Sequence, residues 1–213
     1  MTNPRRLLTR LGLGFGAAGL LLQFVISMQA YLATGRDIPG ALGTFFAYYT
    51  ILSNIVLVLI YLAEVWPIRG LELFRHPVTR GMMAACIALV SIYVFFVLRY
   101  LTSLDGLFQL ADTVLHYLCP VLYLLWWLIA QRHGLLRWAH LPFMLAPTLV
   151  YFVYAMARGA WVQEYPYPIL NAIELGYPAV LLNAVYMTVG LGVLCLIVIS
   201  LDRLLGTRRS PHG

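Results

Sequence analysis

Lysine is absent from this chain of 213 residues, and acidic residues and cysteines are scarce. Without lysine the chain cannot form a retinal-type Schiff base, which requires a primary amine. The three cysteines, Cys86, Cys119 and Cys195, lie inside apolar segments without metal-ligand spacing, which predicts packing residues and no disulfide framework. The chain also lacks a Gly-x-Ser-x-Gly element and a His-Glu-x-x-His pattern, which argues against a rhomboid-like serine protease and a zinc protease.

Charge is also scarce, since 10% of the residues are charged, 62% are hydrophobic and mean hydropathy is +0.85. This composition is typical of an integral membrane protein, because soluble domains carry about 25% charged residues. Six apolar runs are long enough for a membrane-spanning helix, which needs roughly 20 residues. We therefore expect an all-α integral membrane protein, a bundle of six transmembrane helices that forms one domain over residues 1–213. The runs cover residues 11–33, 41–66, 81–101, 108–130, 141–158 and 178–201.

All fourteen basic residues are arginines, and their distribution along the chain is regular. Most of them precede the first run, follow the last run, or lie between the second and third or the fourth and fifth runs. Only Arg36, Arg99 and Arg158 fall on the other side. The positive-inside rule then places both termini in the cytoplasm, and an even number of spans agrees with termini on the same side. Because topology accounts for the arginines, we predict no nucleic-acid partner.

His116 is the only histidine inside the apolar runs. An ionisable side chain in hydrocarbon is costly and by default marks a functional site, although His116 could equally be a hydrogen-bonded packing residue. Pro120 has no N–H, so the carbonyl of His116 loses its helical partner, and we expect a kink and a cavity there. Asp112 shares the face of His116 and could orient the imidazole or be a solvated surface residue, while Cys119 is a rival nucleophile. A b-type haem usually wants a second intramembrane histidine, so we predict no cofactor.

The second apolar run carries three polar residues on one helical face, Thr50, Ser53 and Asn54, spaced i, i+3 and i+4. This run and the fourth run both enter from the outer side. At about 1.5 Å per residue, Thr50 and His116 both lie roughly 12–14 Å below the outer boundary, so they can form a hydrogen bond if the helices adjoin. The alternatives are that Thr50 bonds the carbonyl of Phe46 in its own helix and that Asn54 links two helices.

Such a pair could support acyl transfer. A threonine hydroxyl is a weak nucleophile that needs a base within hydrogen-bond reach, and histidine titrates near neutral pH. With His116 as base, Thr50 could form an acyl ester, and Asn54 or a tyrosine hydroxyl could stabilise the oxyanion. Tyr49 and Tyr117 adjoin the pair in sequence. A site reached from the bilayer would select a lipidic ester.

Three segments carry a resemblance to a known family: Phe-Phe-Ala-Tyr-Tyr-Thr50-Ile-Leu-Ser-Asn, Leu115-His116-Tyr-Leu-Cys-Pro120 and Tyr165-Pro166-Tyr167-Pro168-Ile-Leu. They are similar to segments of the six-helix androgen-induced / androgen-dependent TFPI-regulating protein family and its bacterial relatives. The resemblance covers nearly the whole chain in span order and spacing. It implies an intramembrane threonine hydrolase that cleaves fatty acid esters of hydroxy fatty acids, with Thr50 as nucleophile and His116 as the essential histidine. The implied partners are a fatty-acyl ester and the lipid bilayer, here a bacterial cytoplasmic membrane.

Other functions stay open on the sequence. The same polar residues could line the passage of a transporter, channel or lipid-binding protein, or form the packing motif of a structural protein. The lack of an internal repeat weakens an inverted-repeat transporter. Residues 159–177 are rich in aromatics and proline, which predicts either a structured outer cap over the bundle or an interfacial aromatic belt.

Overall fold

The computed structural model describes residues 3–66, 68–101 and 103–207, and within these ranges the chain is all-helical, without a strand. Short 3-10 turns join several of the helices, and one π-helical turn interrupts the path from α6 to α7. The α-helices of the described residues are α1 (Asn3–Ala33), α2 (Ile38–Phe45), α3 (Tyr49–Val65), α4 (Glu72–Arg75), α5 (Pro77–Phe96), α6 (Gly106–Thr113), α7 (Cys119–Ala130), α8 (Leu141–Val162) and α9 (Ala172–Thr207).

Five helical stretches of the described residues are each long and apolar enough to cross a membrane. They contain α1, α5, the α6–α7 unit, α8 and α9, and the pair α2–α3 qualifies only as one bent unit. The expected all-helical class with five or six such stretches is confirmed. Compared with the apolar runs, α1 begins earlier, at Asn3, and α8 ends later, at Val162. Arginines in the first turns of α1 lower the local hydropathy, but arginine is a good helix former, so α1 continues through them.

The second apolar run, residues 41–66, is not one helix. The first part ends at Phe45, the second begins at Tyr49, and the two are bent by 75° relative to each other. Between them Tyr48 is extended, with φ −82° and ψ 125°, and serves as the N-cap residue of α3. The prediction of a continuous helix was wrong, and Thr50 lies in the first turn of α3 rather than in the middle of a helix.

Side chains of α8 hold the broken backbone between α2 and α3. The carbonyl of Ala47 has lost its helical donor and accepts a hydrogen bond of 2.8 Å from the hydroxyl of Tyr151. In the last turn of α2, the hydroxyl of Thr44 accepts hydrogen bonds from Arg36 at 2.5 Å and from Arg158 at 3.1 Å. Broken helices are tolerated at membrane depth where neighbouring groups satisfy the backbone in this way.

Large aromatic side chains hold α1, α3 and α7 together. The rings of Tyr61 in α3 and Trp126 in α7 are fully buried and meet edge to face, with centroids 5.2 Å apart. The indole N–H of Trp126 donates to the hydroxyl of Thr9 in α1 at 2.9 Å. At Gly12, a Cβ would lie 2.2 Å from the ring of Tyr61, so α1 approaches this closely only because the residue is glycine. This packing fixes α3 beside the helix that carries His116.

The Tyr-Pro segment, which we define as residues 163–171, packs against the bundle. The ring of Tyr165 fills the space beside Gly159 in α8, where a Cβ would lie 2.1 Å from it. Leu170 is buried in a cluster with Tyr151, and the ring of Tyr167 meets the ring of Tyr48 edge to face at 5.8 Å. The sequence left open a structured cap or an interfacial aromatic belt. The packing of the Tyr-Pro segment against the bundle fits a structured cap.

Candidate active site

Because of the break between α2 and α3, Thr50 lies at the N-terminus of a helix. Tyr48 is the N-cap, so Thr50 is the second residue of α3. The first N–H groups of a helix lack intrahelical acceptors, and the helix dipole makes this end positive. The residue is 6% exposed and borders two cavities. A negative charge that developed at the Thr50 hydroxyl would therefore be stabilised by the helix end.

His116 lies on the π-helical turn Val114–Leu118 between α6 and α7. As expected, its carbonyl is left without a helical donor by Pro120. The hydroxyl of Ser91 in α5 donates to this carbonyl instead, at 2.9 Å. The helix absorbs the missing hydrogen bond by widening into a π turn. Such turns occur frequently at functional sites.

Three side chains form a connected row across α3 and α6–α7. Nε2 of His116 lies 3.0 Å from the hydroxyl oxygen of Thr50, so the predicted contact is present and the alternative bond to Phe46 is not formed. Nδ1 lies 2.8 Å from Oδ1 of Asp112. This second contact is a close electrostatic pair rather than a linear hydrogen bond, because the ring N–H does not point at the oxygen. A carboxylate beside Nδ1 favours the Nδ1–H tautomer, which leaves Nε2 free to accept the threonine proton.

Tyr167 completes the surroundings of Thr50, and sequence reasoning missed it as a site residue. Its hydroxyl oxygen accepts a hydrogen bond of 3.4 Å from the backbone N–H of Thr50 and also contacts the Thr50 side chain. Burial raises the pKa of Tyr167 to about 12, so the phenol stays protonated and able to donate at neutral pH. The Tyr-Pro motif was noticed as part of the resemblance, but nothing in the sequence indicates the direction of this side chain.

Asn54 and Ser53 support the backbone of the site rather than its reacting atoms. The side-chain amide of Asn54 donates to the carbonyls of Thr50 at 2.9 Å and Leu115 at 3.2 Å. The hydroxyl of Ser53 donates to the same Thr50 carbonyl at 3.1 Å. The N–H groups of Asn54 are thus already used, so the structure does not favour them over a tyrosine hydroxyl as oxyanion donors. The alternative of a helix–helix link fits, since Asn54 ties the first turn of α3 to the residue before His116.

The remaining predicted residues, Tyr49, Tyr117 and Cys119, do not contact the Thr50–His116 pair through their side chains as reacting groups would. Tyr49 borders one cavity beside Thr50, but its hydroxyl is paired with that of Thr148 at 2.7 Å. Tyr117 is half-buried and lines neither cavity beside Thr50. Cys119 is buried at the start of α7 and also lines neither cavity, so the structure does not favour it as the nucleophile.

Two cavities meet at Thr50 and Tyr167, which line both. The first, called the apolar cavity, has a volume of about 100 Å³ and lies among α5, α8, α9 and the Tyr-Pro segment. The second, called the wide cavity, has a volume of about 350 Å³ and contains His116 and Asp112. Its walls come mainly from α1, α6 and the residues around the break. Thr50 therefore lies on a partition with different surroundings on its two sides.

Among residues 3–66, 68–101 and 103–207, no group of three or more His, Cys, Asp or Glu side chains could hold a metal ion. The chemistry that the described site offers is that of a hydroxyl, an imidazole, a carboxylate and a phenol. That set matches nucleophilic acyl transfer.

No protein-family model, curated protein or solved structure matches the chain. The resemblance stated above therefore rests on the three quoted segments and on the order and spacing of the spans.

Proposed function

We propose that the protein is an intramembrane lipid-ester hydrolase of the kind that cleaves fatty acid esters of hydroxy fatty acids, with Thr50 as nucleophile and His116 as base. The observation that carries the proposal is the row Thr50–His116–Asp112, with spacings of 3.0 and 2.8 Å, at the N-terminus of α3. A nucleophile, a base in hydrogen-bond contact with it and a third group that orients the base are the parts that covalent ester hydrolysis requires.

The reaction follows from these contacts. Nε2 of His116 takes the hydroxyl proton of Thr50 as its oxygen attacks the ester carbonyl carbon. The carbonyl oxygen becomes an oxyanion, which receives the O–H of Tyr167 and the positive end of α3. The carbon–oxygen bond to the alcohol then breaks, and the leaving oxygen takes the proton from His116. Water attacks the acyl-Thr50 ester with His116 again as base, which releases the fatty acid and restores the threonine.

We also propose that the chain spans a bacterial cytoplasmic membrane six times, with both termini in the cytoplasm. The bundle has an ion-pair cluster at each end. At one end Arg5 and Arg80 pair with Glu64, and at the other Arg36 pairs with Glu164 at 2.6 Å. The arginine-rich end would face the cytoplasm under the positive-inside rule. The site then lies in the outer half of the membrane, within reach of lipids that enter from the side.

A fluorophosphonate probe tests the proposal, because an activated hydroxyl displaces its fluoride and keeps the phosphonyl group. We expect the purified protein in detergent to be labelled at Thr50, and Thr50→Val to abolish labelling while preserving the side-chain shape. Thr113→Val is the matched control. The Thr113 hydroxyl bonds the Gln109 carbonyl within α6 at 2.8 Å and the residue lines neither cavity beside Thr50, so labelling should persist. Labelling that survives Thr50→Val but disappears in Cys119→Ala would assign the nucleophile to Cys119 instead.

The meeting of the two cavities at Thr50 and Tyr167 favours one alternative function, a small-molecule or lipid transporter in which these residues line a passage. A passage predicts movement of substrate across proteoliposome membranes and no covalent adduct. A hydrolase predicts the adduct and ester turnover by the detergent-solubilised protein. The two functions are thus separated by one labelling experiment and one transport experiment.

A further inference from the structure

The partition at Thr50 separates two cavities of different size and chemistry, and this difference bears on the substrate. Resting on the proposed hydrolysis, we propose that the ester lies across the partition, with its acyl chain in the apolar cavity and its alcohol in the wide cavity. We further assign to the wide cavity an alcohol that is uncharged near the ester oxygen. The substrate class is thus an ester with a plain hydrocarbon acyl arm and no charged group beside the ester oxygen.

The direction of the substrate follows from the position of His116. The leaving alcohol oxygen must take a proton from Nε2, so it has to lie on the side of Thr50 where the imidazole lies. His116 lines the wide cavity and not the apolar one. The acyl chain is attached to the same carbonyl carbon and extends away from His116, on the side of Thr50 where the apolar cavity begins. The opposite placement would put the leaving oxygen out of reach of its proton donor.

The apolar cavity suits a hydrocarbon chain because its polar wall groups are already paired. The hydroxyls of Tyr49 and Thr148 bond each other at 2.7 Å, and that of Thr188 bonds a carbonyl in its own helix. The hydroxyl of Tyr151 donates to the Ala47 carbonyl at 2.8 Å. Apart from Thr50 and Tyr167 at the partition, the one other hydroxyl in the described walls is that of Tyr93, which is buried without a hydrogen-bond partner. Beyond Tyr93, the described walls away from the partition hold no free hydroxyl for a polar substituent on the acyl chain. Burying such a substituent without a hydrogen-bond partner would cost free energy. The cavity's volume of about 100 Å³ is also smaller than that of the wide cavity, which suits a linear chain better than a bulky group.

The wide cavity suits an uncharged alcohol. Of the described residues in its walls, the one charged side chain is Asp112, which would repel an anionic group near the ester oxygen. None of the three arginines at this end lines the cavity. Arg36 and Arg158 are bonded to Thr44 and Glu164, and Arg99 lies over the rings of Phe95 and Tyr100. Gln23 supplies an amide to the same cavity, which favours hydroxyl groups on the alcohol. With about 350 Å³, this cavity also accepts a bulkier group than the apolar one.

The same substitution at one alanine in each cavity tests the assignment. Ala184→Phe narrows the apolar cavity, and Ala30→Phe narrows the wide cavity. The substrates are two ester series, glycerol esters from butanoyl to palmitoyl, and octanoyl esters of methanol, glycerol and hexadecanol. We expect Ala184→Phe to lower kcat/KM for long acyl chains relative to short ones by about tenfold and to leave the order of the alcohols unchanged. Ala30→Phe should lower the values for large alcohols and leave acyl-length preference unchanged.

Charge is tested by a further pair, octanoyl glycerol against the octanoyl ester of glycolic acid, which carries a carboxylate beside the ester oxygen. The wild-type protein should prefer the glycerol ester by tenfold or more, and Asp112→Asn should reduce that ratio even though it slows both reactions. If the glycolate ester is preferred, the neutral-alcohol assignment is overturned. If Ala184→Phe and Ala30→Phe both alter the same arm, or exchange their effects, the division of the ester is overturned.

Failure of this inference differs from failure of the hydrolase proposal. Without hydrolase activity, no ester in either series would be cleaved and wild-type Thr50 would take no fluorophosphonate. With hydrolase activity but a different substrate path, cleavage and labelling would occur with the wrong pattern of selectivity. Met187→Ala and Phe108→Ala, which enlarge the apolar and the wide cavity, repeat the test if a phenylalanine variant does not fold. They should extend the accepted acyl chain and the accepted alcohol, respectively.

Discussion

Two histidine–aspartate pairs lie in this bundle, and they have opposite surroundings. At one end, Nδ1 of His133 lies 3.2 Å from Oδ1 of Asp202, and at the site Nδ1 of His116 lies 2.8 Å from Oδ1 of Asp112. Nε2 of His133 contacts the Leu128 carbonyl at 3.0 Å, so both of its ring nitrogens are held by acceptors. Nε2 of His116 faces a hydroxyl on the edge of a cavity. The pairing alone therefore does not distinguish a structural histidine from a candidate base; the third partner does.

The two aspartates differ in the same sense. Oδ2 of Asp202 accepts the backbone N–H groups of Gly134 at 3.0 Å and Leu136 at 2.7 Å, which fixes the α7–α8 connection to α9. The side chain of Asp112 is 25% exposed and points to the imidazole. One carboxylate serves mainly the backbone, and the other serves mainly a side chain.

The largest expected effect separates the two histidines. His116→Gln should lower ester hydrolysis by about 10²–10⁴-fold, the usual contribution of general acid–base catalysis, with the melting temperature little changed. His133→Gln should keep hydrolysis and fluorophosphonate labelling but destabilise the fold by about 1–3 kcal/mol, because it disturbs buried hydrogen bonds. Rate assays and thermal unfolding in the same detergent measure both. Equal losses of rate would contradict the distinction.

Tyr167→Phe should have the next largest effect, since it removes the donor next to the oxyanion. Loss of one such donor typically lowers kcat by about 10²–10³-fold. Tyr165→Phe is the matched control in the same segment, because that ring packs beside Gly159 in α8 and lines neither cavity. We expect kcat rather than KM to fall in the Tyr167 variant. A change confined to KM would assign Tyr167 to substrate binding instead.

The smallest effect concerns the aspartates. Asp112→Asn should lower kcat/KM by roughly tenfold, or about 1.4 kcal/mol, because the contact is partly exposed and not a linear hydrogen bond. Asp202→Asn should leave kcat/KM unchanged and lower the melting temperature, since it weakens the acceptor of two backbone N–H groups. A loss of activity in Asp202→Asn without a loss of stability would remove the contrast between the two pairs.

The helical class and the approximate helical stretches could be predicted because a membrane-spanning helix needs a run of roughly 20 apolar residues, which hydropathy detects. The break after Phe45 could not, since Phe46, Ala47 and Tyr48 include neither glycine nor proline. Its cause is tertiary, because the Tyr151 hydroxyl that satisfies the Ala47 carbonyl comes from α8. The prediction that Thr50 meets His116 was therefore right although the continuous helix used to derive it was wrong.

Local chemistry was predictable where one residue type decides it. Pro120 has no N–H, so a disturbance at His116 followed from the sequence, but its form as a π turn and its donor, Ser91, depend on α5. Asn54 was placed on the correct face, while its partners, the carbonyls of Thr50 and Leu115, depend on how α3 and α6–α7 pack. Tyr167 belongs to the site because its side chain points to Thr50, and that orientation depends on how the Tyr-Pro segment packs in the folded chain.

The break between α2 and α3 also determines how late in synthesis the site can take its final shape. Thr50, His116 and Asp112 all belong to the first two-thirds of the chain, but the Tyr151 hydroxyl that holds the break lies 104 residues after Ala47. The Tyr167 hydroxyl lies 117 residues after Thr50. A nascent chain that has formed α1 to α7 thus carries the proposed nucleophile and base without the groups that shape the first turn of α3. Under the proposed function, reactivity would appear only when the last two helices have joined the bundle.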